Sequence, residues 1–347
     1  MDVDNITYKP GLALDVGTSF IQAARQTETG EVEFTSERDA FFEIIPKTLF
    51  NSKAIEKSLQ QRDYFYLNKD GNFYLVGTQA INYANEVQQN VLRPLKRGVL
   101  SSKDKDSFGM LSVILEQIVG PPLVKNERCL YSYPADPIDS DFDTVYHRDL
   151  IGKILTTLGY NAIPILEAEA LMYSELLDYD LTGVTMSWGA GMTNVCVAHL
   201  GSNLVSFSIT KGGDWIDEKV GGRLEISETI IQAEKEEGLD LKKPKDDIQE
   251  GVAIYYKSLM EYVAANLELK FKSLKEVPRF REPVVIVISG GSSLVDGFID
   301  TFSDIIKWKD RQKTIKRNFP FTIKEIVPVK DPLRAVASGL LIAAQSI

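Results

Sequence analysis

Three times in this chain a short apolar run breaks directly into a turn of small and hydroxyl residues: Asp15-Val16-Gly17-Thr18-Ser19, Trp188-Gly189-Ala190-Gly191-Met192-Thr193 and Ser289-Gly290-Gly291-Ser292-Ser293. Without a Cβ, glycine lets backbone N–H groups converge on an anion, and neighbouring hydroxyls add donors. Taken singly, each is an ordinary hairpin turn. Three of them in one α/β chain point to a nucleotide-binding cleft. None fits G-x-x-x-x-G-K-[ST], and no G-x-G-x-x-G follows a strand and opens a helix, so the P-loop and Rossmann readings fall away. Asp15 ends the first strand, where its carboxylate would repel phosphates unless a hard cation lies between them. Magnesium is therefore expected.

Periodicity organises the rest. Gly11 to Val16 and Phe20 to Ala24 read as a β-hairpin, and Gly183 to Met186 with Asn194 to Leu200 repeats that grammar half a chain later. An internal duplication, with two related halves facing a cleft, is the simplest source of such a repeat. Between them, Phe41 to Leu49 and Tyr64 to Val76 read as strands of an inserted subdomain. Helices are predicted over 107–119, 143–158 and 167–177, alternating with strands over 128–133 and 162–166, which is α/β layering. Further on, 220–237, 247–274 and 294–302 read as helical around the β run Val284 to Ser289, and 332–345 as a closing helix of small residues.

Composition narrows the partners. With 347 residues, 44% of them hydrophobic, the chain suits two domains. Its 49 acidic against 39 basic side chains give a net charge of -10, which repels nucleic acid and anionic lipid. No apolar run reaches the roughly 18 residues that cross a bilayer, and Met1 to Pro10 carries neither a signal-peptide pattern nor an amphipathic membrane anchor. Two cysteines, Cys129 and Cys196, make no disulfide framework, so a reducing, cytoplasmic setting is expected. His147 and His199, the two histidines, lie in separate segments and read as surface or satisfied core residues. No serine sits in Gly-x-Ser-x-Gly. The run Lys307 to Arg317, six bases and one acid, reads as a solvated face, with a subunit contact as the second reading.

The order of motifs resembles that of the actin, sugar kinase and heat-shock chaperone superfamily across essentially the whole chain. Asp15, Gly17 and Thr18 match its first phosphate hairpin, Gly189 to Thr193 its second, Ser289 to Ser293 its adenosine loop, Leu166 to Ala170 its connecting helix and Ala335 to Gly339 its closing helix. Two further stretches are similar to bacterial actins of the MreB and MamK type: Arg93-Pro94-Leu95-Lys96-Arg97-Gly98-Val99-Leu100 and Gly212-Gly213-Asp214-Trp215-Ile216-Asp217. The resemblance implies an actin-like fold of two duplicated ribonuclease-H-like domains, in four subdomains around a nucleotide cleft. Residues 1–170 with 325–347 would form domain I and 171–324 domain II, with smaller subdomains near 32–95 and 217–265.

The resemblance also implies ATP or ADP with Mg2+ as cofactors, held by Gly17, Thr18, Ser19, Gly189, Ala190, Gly191, Met192, Thr193, Gly213, Gly290, Gly291, Ser292 and Ser293. Glu234, Lys235 and Glu236 would flank the ribose. Asp15 and Glu167 are the expected catalytic pair, Asp15 at the metal's hydration shell and Glu167 on the hydrolytic water; Glu167 and Ser187 would also reach the metal through water. Ser187 departs from the family, which has an aspartate there, and Asn194 stands in place of another carboxylate, so slow hydrolysis is expected. Head-to-tail self-association into a filament, with a cargo adaptor as a further partner, is the first functional reading. A kinase or a non-polymerising adaptor of the same fold is the alternative. A chaperone is disfavoured because the chain ends directly after the closing helix.

Overall fold

The computed structural model describes residues 10–100, 106–276, 278–307 and 319–346. The acidic start and most of the basic run after Lys307 lie outside them. The chain opens on an antiparallel meander, β1 (Gly11–Val16), β2 (Phe20–Gln26) and β3 (Val32–Arg38). An insertion follows: β4 (Phe41–Ile44), α1 (Leu49–Gln61), β5 (Tyr66–Lys69), β6 (Asn72–Val76) and α2 (Thr78–Glu86). Its sheet runs β4-β6-β5 over a separate core of Phe42, Leu59, Phe73 and Leu75.

The short ribbon β7 (Leu95–Lys96) and β8 (Val99–Leu100) leads to α3 (Ser107–Val119), β9 (Arg128–Tyr133), α4 (Val145–Thr157) and β10 (Asn161–Leu166). Both β9 and β10 add in parallel, giving a first sheet ordered β10-β9-β1-β2-β3. After α5 (Glu167–Glu175) the same plan recurs. A meander of β11 (Gly183–Trp188), β12 (Thr193–His199) and β13 (Ser202–Ile209) is followed by α6 (Gly213–Leu224), α7 (Glu228–Glu236) and α8 (Asp247–Ser273). Then β14 (Val284–Ser289), α9 (Phe298–Ile306) and β15 (Ile323–Pro328) complete a second sheet ordered β13-β12-β11-β14-β15, closed by α10 (Ala335–Ser346). Three antiparallel strands followed by two parallel ones, twice over, is the duplication read from the repeated hairpins.

Small side chains on α10 allow it to lie against α5 at backbone distance. A Cβ on Gly339 would fall on the Ala170 carbonyl, and Ala335, Ala337 and Ala344 are buried in the same cluster as Ala13 and Leu171. The second core, on the other face of the second sheet, is aromatic: Trp188 meets Phe298 and Phe302 edge-on at 5.1 and 5.4 Å. The segment after β9 crosses to the other lobe. There Ile138 N donates to Ser208 O at 3.0 Å on β13, Ser208 N donates to Asp136 O at 3.2 Å, and the Asp139 carboxylate accepts from Thr210 N and from Lys211 Nζ.

Three expectations are corrected in detail. The strand read over Phe41 to Leu49 ends at Ile44; Thr48 caps a helix by accepting from Asn51 N at 3.2 Å, so a cap after Pro46 outweighs the apolar run. The helix read over 220–237 is two, because Glu225 turns left-handed at φ 57 and Ser227 caps α7. Residues 294–302 begin as a short 3-10 turn, and α9 starts only at Phe298. Both cysteines are buried and free. His147 is a core residue whose Nδ1 accepts from Leu100 N at 3.1 Å, and burial lowers its pKa to about 4. Among the described residues no helix is long and apolar enough to cross a membrane.

Candidate functional site

The β1–β2 and β11–β12 turns meet tip to tip. A Cβ on Gly191 would strike Thr18 Oγ1 and the backbone N of Gly98, so only hydrogen fits where the two loops touch. Behind this contact lies a cavity of about 450 Å³ between the lobes. Its walls contain Asp15, Gly17, Thr18, Ser19, Glu167, Ser187, Gly189, Ala190, Gly191 and Met192, with Gly213, Lys235, Glu236, Gly290, Gly291 and Ser292 opposite. Leu294, Leu333 and Val336 add an apolar surface.

Three of the expected residues are not in that wall. Thr193 is buried and its hydroxyl donates to Lys211 O at 2.9 Å. Ser293 folds back, donating to Gly290 O at 2.7 Å. Glu234 accepts from Gln249 Nε2 at 3.3 Å, bonding to α8. Hydroxyls at strand starts and turn ends satisfy nearby carbonyls first, which motif matching does not weigh.

Two carboxylates face the cavity floor from different elements. Asp15 ends β1 and its Oδ1 accepts from Ser132 Oγ at 2.7 Å, while Ser132 Oγ itself accepts from Val16 N at 2.8 Å. Glu167 opens α5 directly after β10, where the helix N-terminus favours an anion. Its Oε1 accepts from Ser187 Oγ at 2.6 Å and its Oε2 from Asn194 Nδ2 at 2.9 Å. Asn194 Oδ1 in turn accepts from Ser208 Oγ at 2.8 Å, so the clamp on Glu167 is anchored in β12 and β13. Burial raises both carboxyl pKa values, and the negative Asp15 adds to the rise at Glu167.

The remaining charge is uneven. Asp15, Glu167, Asp214, Asp217 and Glu236 line the cavity against Arg38 and Lys235. Lys235 Nζ is already engaged, donating to Gly213 O at 3.0 Å and meeting the Asp217 carboxylate at 2.7 Å. Burial pushes Asp217 up to about 6 against the pull of Lys235. The Arg38 guanidinium lies 3.8 Å from the Phe20 ring centroid and donates to Ser19 Oγ at 3.2 Å. At the mouth, Arg93 pairs with Asp214 at 3.2 Å, joining the two lobes. Arg38 and Gln22 went unread in the sequence. The β1–β2 register was the available signal for Gln22, since it faces Asp15 across the ladder. Among the described residues no group of three or more His, Cys, Asp or Glu is arranged to hold a metal.

Comparison with solved structures finds the same architecture over nearly the whole chain. A MamK double helical filament superposes with a TM-score of 0.68 at 20% identity, covering 98% of this chain and 99% of that one. MreB5 of Spiroplasma citri bound to ADP gives 0.65 at 17%, covering 97% of each. The ethanolamine utilization protein EutJ from Carboxydothermus hydrogenoformans gives 0.55 at 14%, covering 98% and 92%. A search of curated protein sequences returned no match. The duplicated five-stranded sheets, shared with these neighbours, make this a protein of the actin-like fold. Within that class the chain belongs to the volactin family, whose profile matches residues 11–344.

Proposed function

We propose that this chain binds a magnesium-adenine nucleotide in the interlobe cleft and assembles head to tail into filaments whose stability the nucleotide controls. One observation carries the reading: three glycine turns from separate parts of the chain line one cavity with two buried carboxylates and, among the described residues, no basic residue bonded to either. Two buried carboxylates that repel each other fit a hard cation with oxygen ligands, held mostly by water and phosphate because the protein supplies so few. Bound magnesium would screen the charge that builds up during transfer of the terminal phosphoryl group to water.

The residues divide the work. Backbone N–H groups of Thr18 and Ser19 and of Ala190 to Met192 would face the phosphates, while Gly17 N and Gly189 N hold the turns themselves by donating to Phe20 O and Met192 O. Asp15 faces the metal's water shell, and Glu167 orients the attacking water. Gly213, Lys235 and Glu236 flank the ribose, while Gly290, Gly291 and Leu333 border the base. Residues 1–170 with 325–347 read as domain I and 171–324 as domain II, with the second boundary shifted past Pro328 because β15 pairs with β14 in the second sheet. The filament reading draws support from the MamK filament and from nucleotide-bound neighbours: MreB5 bound to AMPPNP, MreB5 with ADP, and a non-polymerising MamK mutant bound to AMPPNP. The deciding experiment is sedimentation of the purified chain with ATP and magnesium, followed by electron microscopy. Filaments that shorten or vanish without nucleotide support the proposal. A monodisperse monomer at tens of micromolar across several salts would leave the adaptor or kinase reading in its place.

Ser187 and Asn194 carry the expectation of slow turnover. Both are neutral donors to Glu167, so β11 and β12 bring no negative charge to that carboxylate. In Ser187→Asp, a third carboxylate would sit beside Glu167. The unliganded chain should melt lower, magnesium should restore the midpoint, and the rate of phosphate release should change by roughly tenfold or more. An unchanged rate together with an unchanged magnesium response would refute the role given to this position.

A further inference from the structure

The cleft floor contains one polar side chain whose chemistry the reading above leaves unused. Gln22 on β2 pairs with Asp15 across the β1–β2 ladder, so both side chains leave the sheet on the same face. Further along that face Ala13 and Ala24 are packed in the apolar cluster that includes α10. Gln22 and Asp15 together break the apolar pattern. Gln22 is 5% exposed, it lines the cavity, and its Oε1 is buried with no hydrogen-bond partner. Buried amide oxygens are almost always paired, so an orphan on a cavity-lining side chain marks an amide that can turn about its last torsion to meet a ligand.

We propose that Gln22 is a ligand-contacting residue of the cleft, its carboxamide meeting the terminal phosphates of the nucleotide and the water shell of the cation beside Asp15. A carboxamide offers both halves of that contact: Nε2 donates to a phosphate oxygen, and Oε1 accepts from a cation-bound water. Being neutral, it adds order without adding to the five acids already lining the cavity. The inference rests on the nucleotide reading of the cleft and extends it to a residue with no glycine motif around it.

The test is equilibrium binding of AMP, ADP and AMPPNP, each with magnesium, to the full chain and to Gln22→Leu, alongside thermal melts of both unliganded proteins. Removing a buried hydrogen bond to a charged ligand should weaken ADP and AMPPNP about tenfold. AMP affinity should stay within about twofold, and the unliganded midpoint should hold or rise, because an unpaired buried amide is gone. Unchanged ADP and AMPPNP affinity would overturn the inference, and so would an equal loss for AMP. Gln22→Met, which keeps the length of the side chain, serves if the Leu variant does not fold. A wild-type chain that takes up none of the three nucleotides would instead overturn the reading of the cleft, and this inference with it.

Discussion

Asp15→Asn should move ligand affinity and unliganded stability in opposite directions. In the unliganded chain Asp15 and Glu167 are buried in one cavity; burial raises the pKa of both, and repulsion from the negative Asp15 raises that of Glu167 further. Asparagine keeps the shape and can still accept from Ser132 Oγ, so the hydrogen bond survives and the repulsion does not. The unliganded thermal midpoint should therefore rise. Affinity for magnesium-ADP should fall roughly 10- to 100-fold, the usual cost of losing a group that organises a metal's shell. Without magnesium the two proteins should bind ADP alike, or the variant slightly better. Calorimetric titration with and without magnesium reads both affinities, and a thermal melt of each unliganded protein reads the midpoint. A variant that binds magnesium-ADP as tightly as the wild type would remove Asp15 from the metal site.

The second large effect is expected at Gly290→Ala. Gly290 directly follows β14 with φ 94 and ψ 149, a region that residues with a Cβ rarely enter. A Cβ there would also overlap the backbone of Trp188 on the neighbouring strand. Backbone cannot swing aside as a side chain can, so the loop must shift away from β11 and break Ser292 Oγ to Gly189 O, a 2.9 Å bond that ties the third turn to the second. Strain and lost packing together should cost about 3 kcal/mol. Chemical denaturation measures it, and a loss below about 0.5 kcal/mol would mean the turn is looser than described. By contrast Gly291, whose Cβ would meet only a Leu333 methyl at 3.6 Å, should tolerate alanine.

The duplicated hairpins were legible because a strand that turns at glycine leaves its mark within a dozen residues. So were the buried β14, which runs into such a turn, and the closing helix with its run of small residues; Asp15 stands beside the first turn, whereas Glu167 has no such mark and is picked out only by the resemblance of Leu166 to Ala170. Less visible were features set by local competition. Thr48 starts α1 inside what reads as strand, and Glu225 with Ser227 splits one apolar-periodic stretch into two helices. Ser187 and Asn194 read as lost carboxylates; their hydrogen bonds to Glu167 depend on β11 and β12 lying against α5, which no local pattern encodes. Gln22 and Arg38 escaped for a related reason. Their position in the cleft follows from pairing across β2 and β3, whereas sequence motifs register only neighbours along the chain.

The crossing segment at Asp136 and Ile138 bears on how copies of this protein can stack. An outer strand with free N–H and C=O groups invites a ladder with another molecule. Here β13 spends part of that capacity on the chain's own backbone, at Ser208. Growth by continuous sheet extension is obstructed on this flank, and any polymer must be joined there through side-chain surfaces, which can be loosened by a small rotation of one subunit and re-formed without unzipping a sheet.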